Sequence, residues 1–283
     1  MIIYTNGDSF TAGDGLISVF WDTYPGNISN NNTLADQERS RKWASTKATE
    51  FSRDRHTVKS EFKLYKEQNK QRAWPAKLGQ LLDVQVINNA LGGSGIVSIG
   101  MNTMQDLISL SNEGVIPDQV IIGLTGMARL SLVDDKAWWD EQKWMITAHP
   151  GHQEEIPDRY LEYANNFWRS HSDDEIMLFF LYNCLSIRNF VKVHIGKFPI
   201  FVKTINEFDH WNSIVNNSNI PMVKKLWQLL EFDQLVHEPS IFTVKPVTEK
   251  LACGHLLEDS HDAFSKYLKE RYFNYELQPS KNS

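Results

Sequence analysis

Met1-Ile2-Ile3-Tyr4-Thr5-Asn6-Gly7-Asp8-Ser9 opens the chain with a short apolar run that stops in a cluster of turn-forming residues. A run of this length bounded by Asn, Gly and Asp reads as a buried strand, and it places Ser9 at the strand's C-terminal tip. The same grammar recurs downstream. Trp74 to Leu82 puts positions 74, 78, 81 and 82 on one helical face, and a strand follows at Val84 to Asn88. Ala90-Leu91-Gly92-Gly93-Ser94-Gly95 then reads as a loop and Ile99 to Leu110 as the next helix. After Pro117-Asp118, the stretch Gln119 to Leu124 is continuously apolar, as a strand covered on both faces must be. Helices are predicted at about 157–171 and 174–194, strands at Pro199 to Ile205 and Ser240 to Val244, and a last helix from Glu258 to Tyr272. Strands alternating with helices predict an α/β protein, a three-layer α/β/α sandwich around a mostly parallel five-stranded sheet. In such sheets ligands bind beyond the C-terminal ends of the strands.

The chain has 283 residues, 41% of them hydrophobic and 23% charged, with 15 Gly and 10 Pro, which excludes a disordered or collagen-like chain. Residues 1–273 read as a single α/β domain, 25–73 as an insertion with helical potential at about 38–52 and 57–70, and 274–283 as a polar tail. The apolar runs, such as Ile176 to Cys184, are shorter than the roughly 18–20 residues of a membrane span. The N-terminus has no positively charged segment ahead of a cleavable apolar stretch. Two cysteines, Cys184 and Cys253, supply neither a disulfide framework nor a complete zinc site. These features predict a cytoplasmic protein away from membranes. The formal charge is −6, but it is unevenly spread: from Asp36 to Arg72, eleven Lys/Arg face six Asp/Glu, a net +5, which leaves −11 for the rest. The insertion is therefore a candidate surface for an anionic partner, although runs of charge also serve simply as solvated faces.

Three strand-tip loops carry the candidate chemistry. Ser9 sits where a hydroxyl is accessible and backbone amides face a developing anion, though a serine at such a turn also serves as a plain N-cap. Gly93, in the loop after the second strand, permits close backbone approach, so its N–H can donate to an oxyanion; a tight turn without ligand has the same residue. His149-Pro150-Gly151-His152 offers two histidines and no third ligand, which reads as a surface loop and leaves no metal site. Trp138, Trp139 and Trp144 read as core or interface packing, with a carbohydrate-stacking lid as the alternative.

Taken in order, these pieces resemble the SGNH (GDSL-type) hydrolase family. Gly7-Asp8-Ser9-Phe10-Thr11-Ala12-Gly13 is similar to its nucleophile block, and Asn88 followed by Gly93 is similar to its second block. Ile122-Gly123-Leu124-Thr125-Gly126 stands at the third block, with Thr125 where the family carries Asn. Cys253-Gly254-His255 resembles the last block, but Ala252 occupies the position of its usual Asp. The resemblance implies a flavodoxin-like SGNH fold and a serine esterase or deacetylase with Ser9 as nucleophile and His255 as base. It makes Ser9, Gly93 and Thr125 the oxyanion donors, with Arg129 or Asn183 as compensating donors for the absent Asn. His261, preceded by Glu258, is the rival base, and Glu249 or Asp259 can replace the missing orienting acid. Asp8, Asn88 and Arg129 flank the set as substrate-binding candidates. The implied substrate is an O-acyl ester of a small molecule or glycan, with no metal or organic cofactor. Met1 to Ser9, Trp74-Pro75 and the Thr125-to-Arg129 loop also resemble bacteriophage-encoded members, for which the compartment is the host cytoplasm. Two alternatives stand beside the esterase: a catalytically weakened scaffold that binds a partner through its basic insertion, and an O-acyltransferase using the same Ser-His pair.

Overall fold

Alternation along two strands sets the layers. In β1 (Ile2–Asn6), Ile3 faces one side of the sheet and Tyr4 the other; in the strand Gln119–Leu124, Ile121 points one way while Val120, Ile122 and Leu124 point the other. All are fully or nearly fully buried, so helices must cover both faces. The computed structural model describes residues 1–13, 28–29, 67–133, 145–150, 156, 158–245, 249–250, 256 and 258–274.

Around β1 the strands are β2 (Ile28–Ser29), β3 (Gln85–Asn88), β4 (Gln119–Leu124), β5 (Leu130–Val133), β6 (Met145–Ala148), β7 (Ile200–Lys203) and β8 (Glu249–Lys250). The central sheet has the order β3-β1-β4-β7, and every pairing in it is parallel. The chain steps from β1 to β3 on one side, then returns to add β4 and β7 on the other. The order thus reverses between β1 and β4, the place where open α/β sheets form a crevice.

The helices are α1 (Ser9–Ala12), α2 (Trp74–Leu82), α3 (Ile96–Asn112), α4 (Asp158–Ser170), α5 (Asp173–Ile195), α6 (Phe208–Asn217), α7 (Pro221–Leu229), α8 (Phe232–Val236) and α9 (Glu258–Leu268), which continues as a π-helical turn over Lys269–Phe273. On one face, Trp74 and Leu78 of α2 and Phe264 and Leu268 of α9 pack on Ile3, Ile121 and Val202. On the other, α3, α5, α6, α7 and α8 close over Tyr4, Val120, Ile122 and Leu124. The result is a three-layer α/β/α sandwich, as the sequence pattern predicts. A further short helical stretch covers 67–72.

The sequence suggests a fifth strand at Ser240 to Val244; among the described residues the sheet has four. That segment is folded back on itself: the Ser240 carbonyl accepts the N–H groups of Thr243 and Val244, and the Ser240 hydroxyl accepts that of Phe242. Local Ser/Thr hydrogen bonding here outcompetes the β-propensity of Ile241, Thr243 and Val244. The Ile241 N–H still reaches the strand, bonding to the Lys203 carbonyl at 3.1 Å. Two small antiparallel pairs lie outside the main sheet, β5 with β6 and β2 with β8; the second joins a piece of the 25–73 segment to residues just ahead of His255.

α5 has its boundaries written in sequence. Ser172 and Glu175 form a reciprocal capping box, and Gly196 ends the helix in a left-handed conformation. By length and composition this 23-residue helix is apolar enough to cross a membrane. Here Met177, Phe180, Leu181, Cys184, Ile187 and Val191 are buried in the core of the sandwich.

Candidate active site

Ser9 begins α1, directly beyond the tip of β1. The turn that carries it is held from within. The Asn6 carboxamide accepts the Gly7 N–H at 2.8 Å and donates to Thr103 at 3.0 Å and to the Ile99 carbonyl at 3.3 Å. Asp8, fully buried, is the N-cap: its carboxylate accepts the Phe10 N–H at 3.1 Å, and its carbonyl accepts those of Thr11 and Ala12. Ser9 itself is buried, with 7% of its surface exposed.

Two glycines let α1 sit this close to the sheet. A Cβ on Gly7 would lie 2.8 Å from the Thr11 Cβ and 3.2 Å from the Gly123 Cα, and one on Gly123 would run into the Thr11 hydroxyl and lie 2.9 Å from Thr204 Cγ2. Such contacts are below van der Waals separation, so neither position takes a side chain without displacing the nucleophile turn. Gly123 belongs to the third sequence block, and the tip of β4 is thereby locked to Ser9's helix.

The second loop meets the first through its backbone. The Leu91 N–H donates to the Gly7 carbonyl at 3.3 Å, and the Ser94 N–H closes a turn on the Leu91 carbonyl at 3.3 Å. Gly93 occupies the third position of that turn with φ +73°, a conformation that glycine adopts freely and side-chain-bearing residues resist. Asn88 does not face outward: its amide donates to the Thr11 carbonyl at 3.0 Å and its oxygen accepts the Ala90 N–H at 3.2 Å. It fastens the end of α1 to the strand that leads into the Gly93 turn.

The third loop contains Thr125 and Arg129. The buried Thr125 hydroxyl donates to the Ser94 carbonyl at 2.9 Å, and Arg129 Nη1 donates to the same oxygen at 3.1 Å. Arg129 Nη1 also lies 3.6 Å from the Asp8 carboxylate. A hydroxyl has one proton to give. In this arrangement the proton of Thr125 goes to Ser94 and is not aimed at a reacting oxygen. Asn183 lies along α5, where its amide donates to the Phe179 carbonyl one turn back, so it supplies no substitute donor. At the tip of β7, Thr204 donates to the Leu124 carbonyl at 2.6 Å and approaches Asp8 at 3.5 Å. Ser94 and Thr204 were not singled out in the sequence; adjacency to Gly93 and position at a strand tip are the signals that point to them.

The rival base is built into packing. His261 is nearly fully buried in α9, and its Nδ1 accepts the Trp74 N–H at 3.1 Å at the start of α2. A neutral imidazole whose Nδ1 lone pair faces an N–H carries its proton on Nε2, which leaves no basic nitrogen to turn toward a serine. Its neighbour Glu258 bonds Lys77 at 2.7 Å. Asp259 is well exposed and pairs with Lys245 at 2.7 Å, a hydrogen bond that holds its carboxyl below the usual range. His255 lies outside the described residues, as do His152, Cys253, Trp138, Trp139, Trp144 and nearly all of the basic segment. Glu249 is described as backbone in β8. Among the described residues no group of three or more His, Cys, Asp or Glu could hold a metal ion.

No protein-family profile matches this chain. Nor does any curated protein. Among solved structures, the chain is similar to a carbohydrate esterase whose active site is described as having divergent catalytic and non-catalytic binding functions; the match covers 99% of this chain and 69% of the other, at 16% identity and a TM-score of 0.47.

Proposed function

We propose that this protein is a serine esterase of the SGNH type, acting on an O-acyl ester of a small molecule or glycan through an acyl-enzyme on Ser9. The observation that carries the reading is convergence: the Gly7–Ser9, Leu91–Ser94 and Thr125–Arg129 loops, far apart in sequence, are hydrogen-bonded to one another at the reversal point of the sheet. A packed core alone does not require a serine, a glycine at positive φ and a buried Asp facing a part-buried Arg at one set of strand tips.

The chemistry runs as follows. Ser9 Oγ attacks the acyl carbonyl as His255 accepts its proton, and the tetrahedral oxyanion takes hydrogen bonds from the N–H groups of Ser9 and Gly93. The C–O bond to the alcohol breaks as His255 returns the proton to the leaving oxygen. Water, deprotonated by His255, then attacks the acyl-enzyme, and Ser9 leaves with its proton restored. No cofactor enters these steps. Glu249 or Asp259 is the candidate for the carboxylate that orients His255.

Turnover of p-nitrophenyl acetate by wild type and Ser9→Ala tests the reading: the variant is expected to lose about 10³-fold or more in kcat, and equal rates would remove Ser9 as nucleophile. One observation favours a second reading, a weakened hydrolase scaffold that binds an anionic partner through the basic segment: Thr125 gives its proton to Ser94. Salt-sensitive retention on DNA or RNA by a chain without Ser9-dependent turnover would select it. An acceptor alcohol that diverts the acyl group from water would mark the enzyme as a transferase.

A further inference from the structure

The two side chains that share the Ser94 carbonyl have a common consequence. We infer that Thr125 and Arg129 are positioning residues that fix the Gly93 turn against the nucleophile turn, replacing a third oxyanion donor with a more rigid pair of donors. This rests on the esterase reading above for its catalytic meaning, while the structural part stands without it.

The Gly93 turn is tied down at each end. On its N-terminal side, the Leu91 N–H bonds the Gly7 carbonyl, two residues before Ser9. On its C-terminal side, the Ser94 carbonyl receives Thr125 Oγ1 at 2.9 Å and Arg129 Nη1 at 3.1 Å, and the Gly95 N–H donates to Thr147 Oγ1 at 3.2 Å. Between these anchors the space beside Gly93 is open: among the described residues, a Cβ placed on it would meet no atom within 4 Å. The hydrogen bonds at the two ends of the turn thus help to set the direction of its N–H. Arg129 extends the tie across the crevice, because the same Nη1 faces the fully buried Asp8 carboxylate that caps Ser9's helix. One guanidinium thus spans both turns, and Thr125 holds the shared acceptor from the other strand tip. A donor aimed at the oxyanion stabilises charge directly; two donors on Ser94 preorganise the backbone donor that does so.

The two designs make different predictions. If Thr125 acts through Ser94, either anchor partly covers the loss of the other. Thr125→Val and Arg129→Lys, the lysine keeping a positive charge toward Asp8 without the guanidinium fork, should each lower kcat by about 3–10-fold with KM nearly unchanged. The double variant should fall about 10-fold or more below the product of the singles, and Thr125→Ser should restore nearly wild-type kcat. Simple multiplication of the single effects, or a loss of about 10²–10³ from Thr125→Val alone with Arg129→Lys silent, overturns the proposal in favour of direct donation. Hydrogen–deuterium exchange gives a readout that needs no esterase activity. Amides of residues 91–95 should exchange about tenfold faster in the double variant, with α5 amides unaltered. Unchanged exchange at 91–95 overturns the proposal, whereas Ser9-independent turnover refutes only the esterase reading.

Discussion

Adding one methyl group, Gly123→Ala, tests how tightly β4 is packed against the turn that carries Ser9. The new Cβ would overlap the Thr11 hydroxyl and lie 2.9 Å from Thr204 Cγ2, against the roughly 3.5–4.0 Å at which such atoms rest. Thr204 is not free to turn away, because its hydroxyl donates to the Leu124 carbonyl at 2.6 Å. Thr11 is the softer neighbour: its hydroxyl is buried without a hydrogen-bond partner among the described residues. Overpacking of this kind costs about 1–3 kcal/mol, and disturbing the Thr204 bond adds about 1 kcal/mol. The sum, about 2–4 kcal/mol, corresponds to a fall of about 3–7 °C in melting temperature for a chain of this size. Urea and thermal unfolding measure it. Because Gly123 abuts Gly7, two residues before Ser9, the displacement should also lower kcat by about tenfold or more. Thr11→Ala in the Gly123→Ala background removes the overlapping oxygen and should recover about 1 kcal/mol, while Thr11→Ala alone costs no more than about 1 kcal/mol. A neutral Gly123→Ala, or a Thr11→Ala change that is equally costly in both backgrounds, would refute the packing argument.

His261→Leu leaves the Trp74 N–H buried without its acceptor and should lower stability by about 1–3 kcal/mol while the folded protein keeps Ser9-dependent turnover; unchanged stability with lost turnover would return His261 to the role of base. Asp259→Asn should alter turnover by less than about twofold, since its partner Lys245 is a surface residue; a large fall in kcat would make Asp259 the orienting acid. Burial raises the pKa of Tyr4, with the Asp106 carboxylate adding to it, and burial with Glu238 does the same for Tyr272. A raised pKa favours the protonated phenol in the fold, so this contribution is complete below about pH 10, where an unfolded tyrosine titrates, and declines above it. Alkaline unfolding monitored by circular dichroism should therefore begin above about pH 10 and begin later relative to wild type in Tyr4→Phe once the loss of the Asp106 bond is subtracted; an identical pH profile would contradict the assignment.

Much of the fold is legible in the sequence where a single physical demand dominates. Gln119 to Leu124 must be covered on both faces, and its predicted limits coincide with those of β4. α5 runs Asp173–Ile195 against an expected 174–194 because its capping box and terminal glycine are local signals. The helices over 208–236 leave a fainter trace, although Trp211, Ile214 and Val215 of α6 and Val223, Leu226 and Trp227 of α7 keep helical spacing and Pro221 marks the start of α7. These helices are short, and their stability comes from burying aromatic residues such as Phe208, Trp211, Trp227 and Phe232 together, which no single segment reveals. The hairpin of β5 and β6 was missed for a related reason, since its strands pair across a long intervening segment.

The site was legible as residue types and not as bonds. Ser9, Gly93 and Thr125 announce themselves by their place after three strands, and the sheet order brings their loops together. That Thr125 and Arg129 converge on the Ser94 carbonyl depends on contacts more than thirty residues apart in sequence, and no local pattern carries that information. Likewise, the resemblance makes His255 the base and His261 its rival. The Trp74 N–H engages Nδ1 of His261, a contact between residues far apart in the chain that no local pattern announces.

The central claim is that Ser9 Oγ is a nucleophile that becomes acylated, and peptide-level mass spectrometry after reaction with a fluorophosphonate probe tests it most directly. The account predicts a single phosphonylated site at Ser9, formed by the wild type and absent from Ser9→Ala. An unlabelled Ser9 in the folded wild type, or equal labelling of both proteins at another residue, would contradict it.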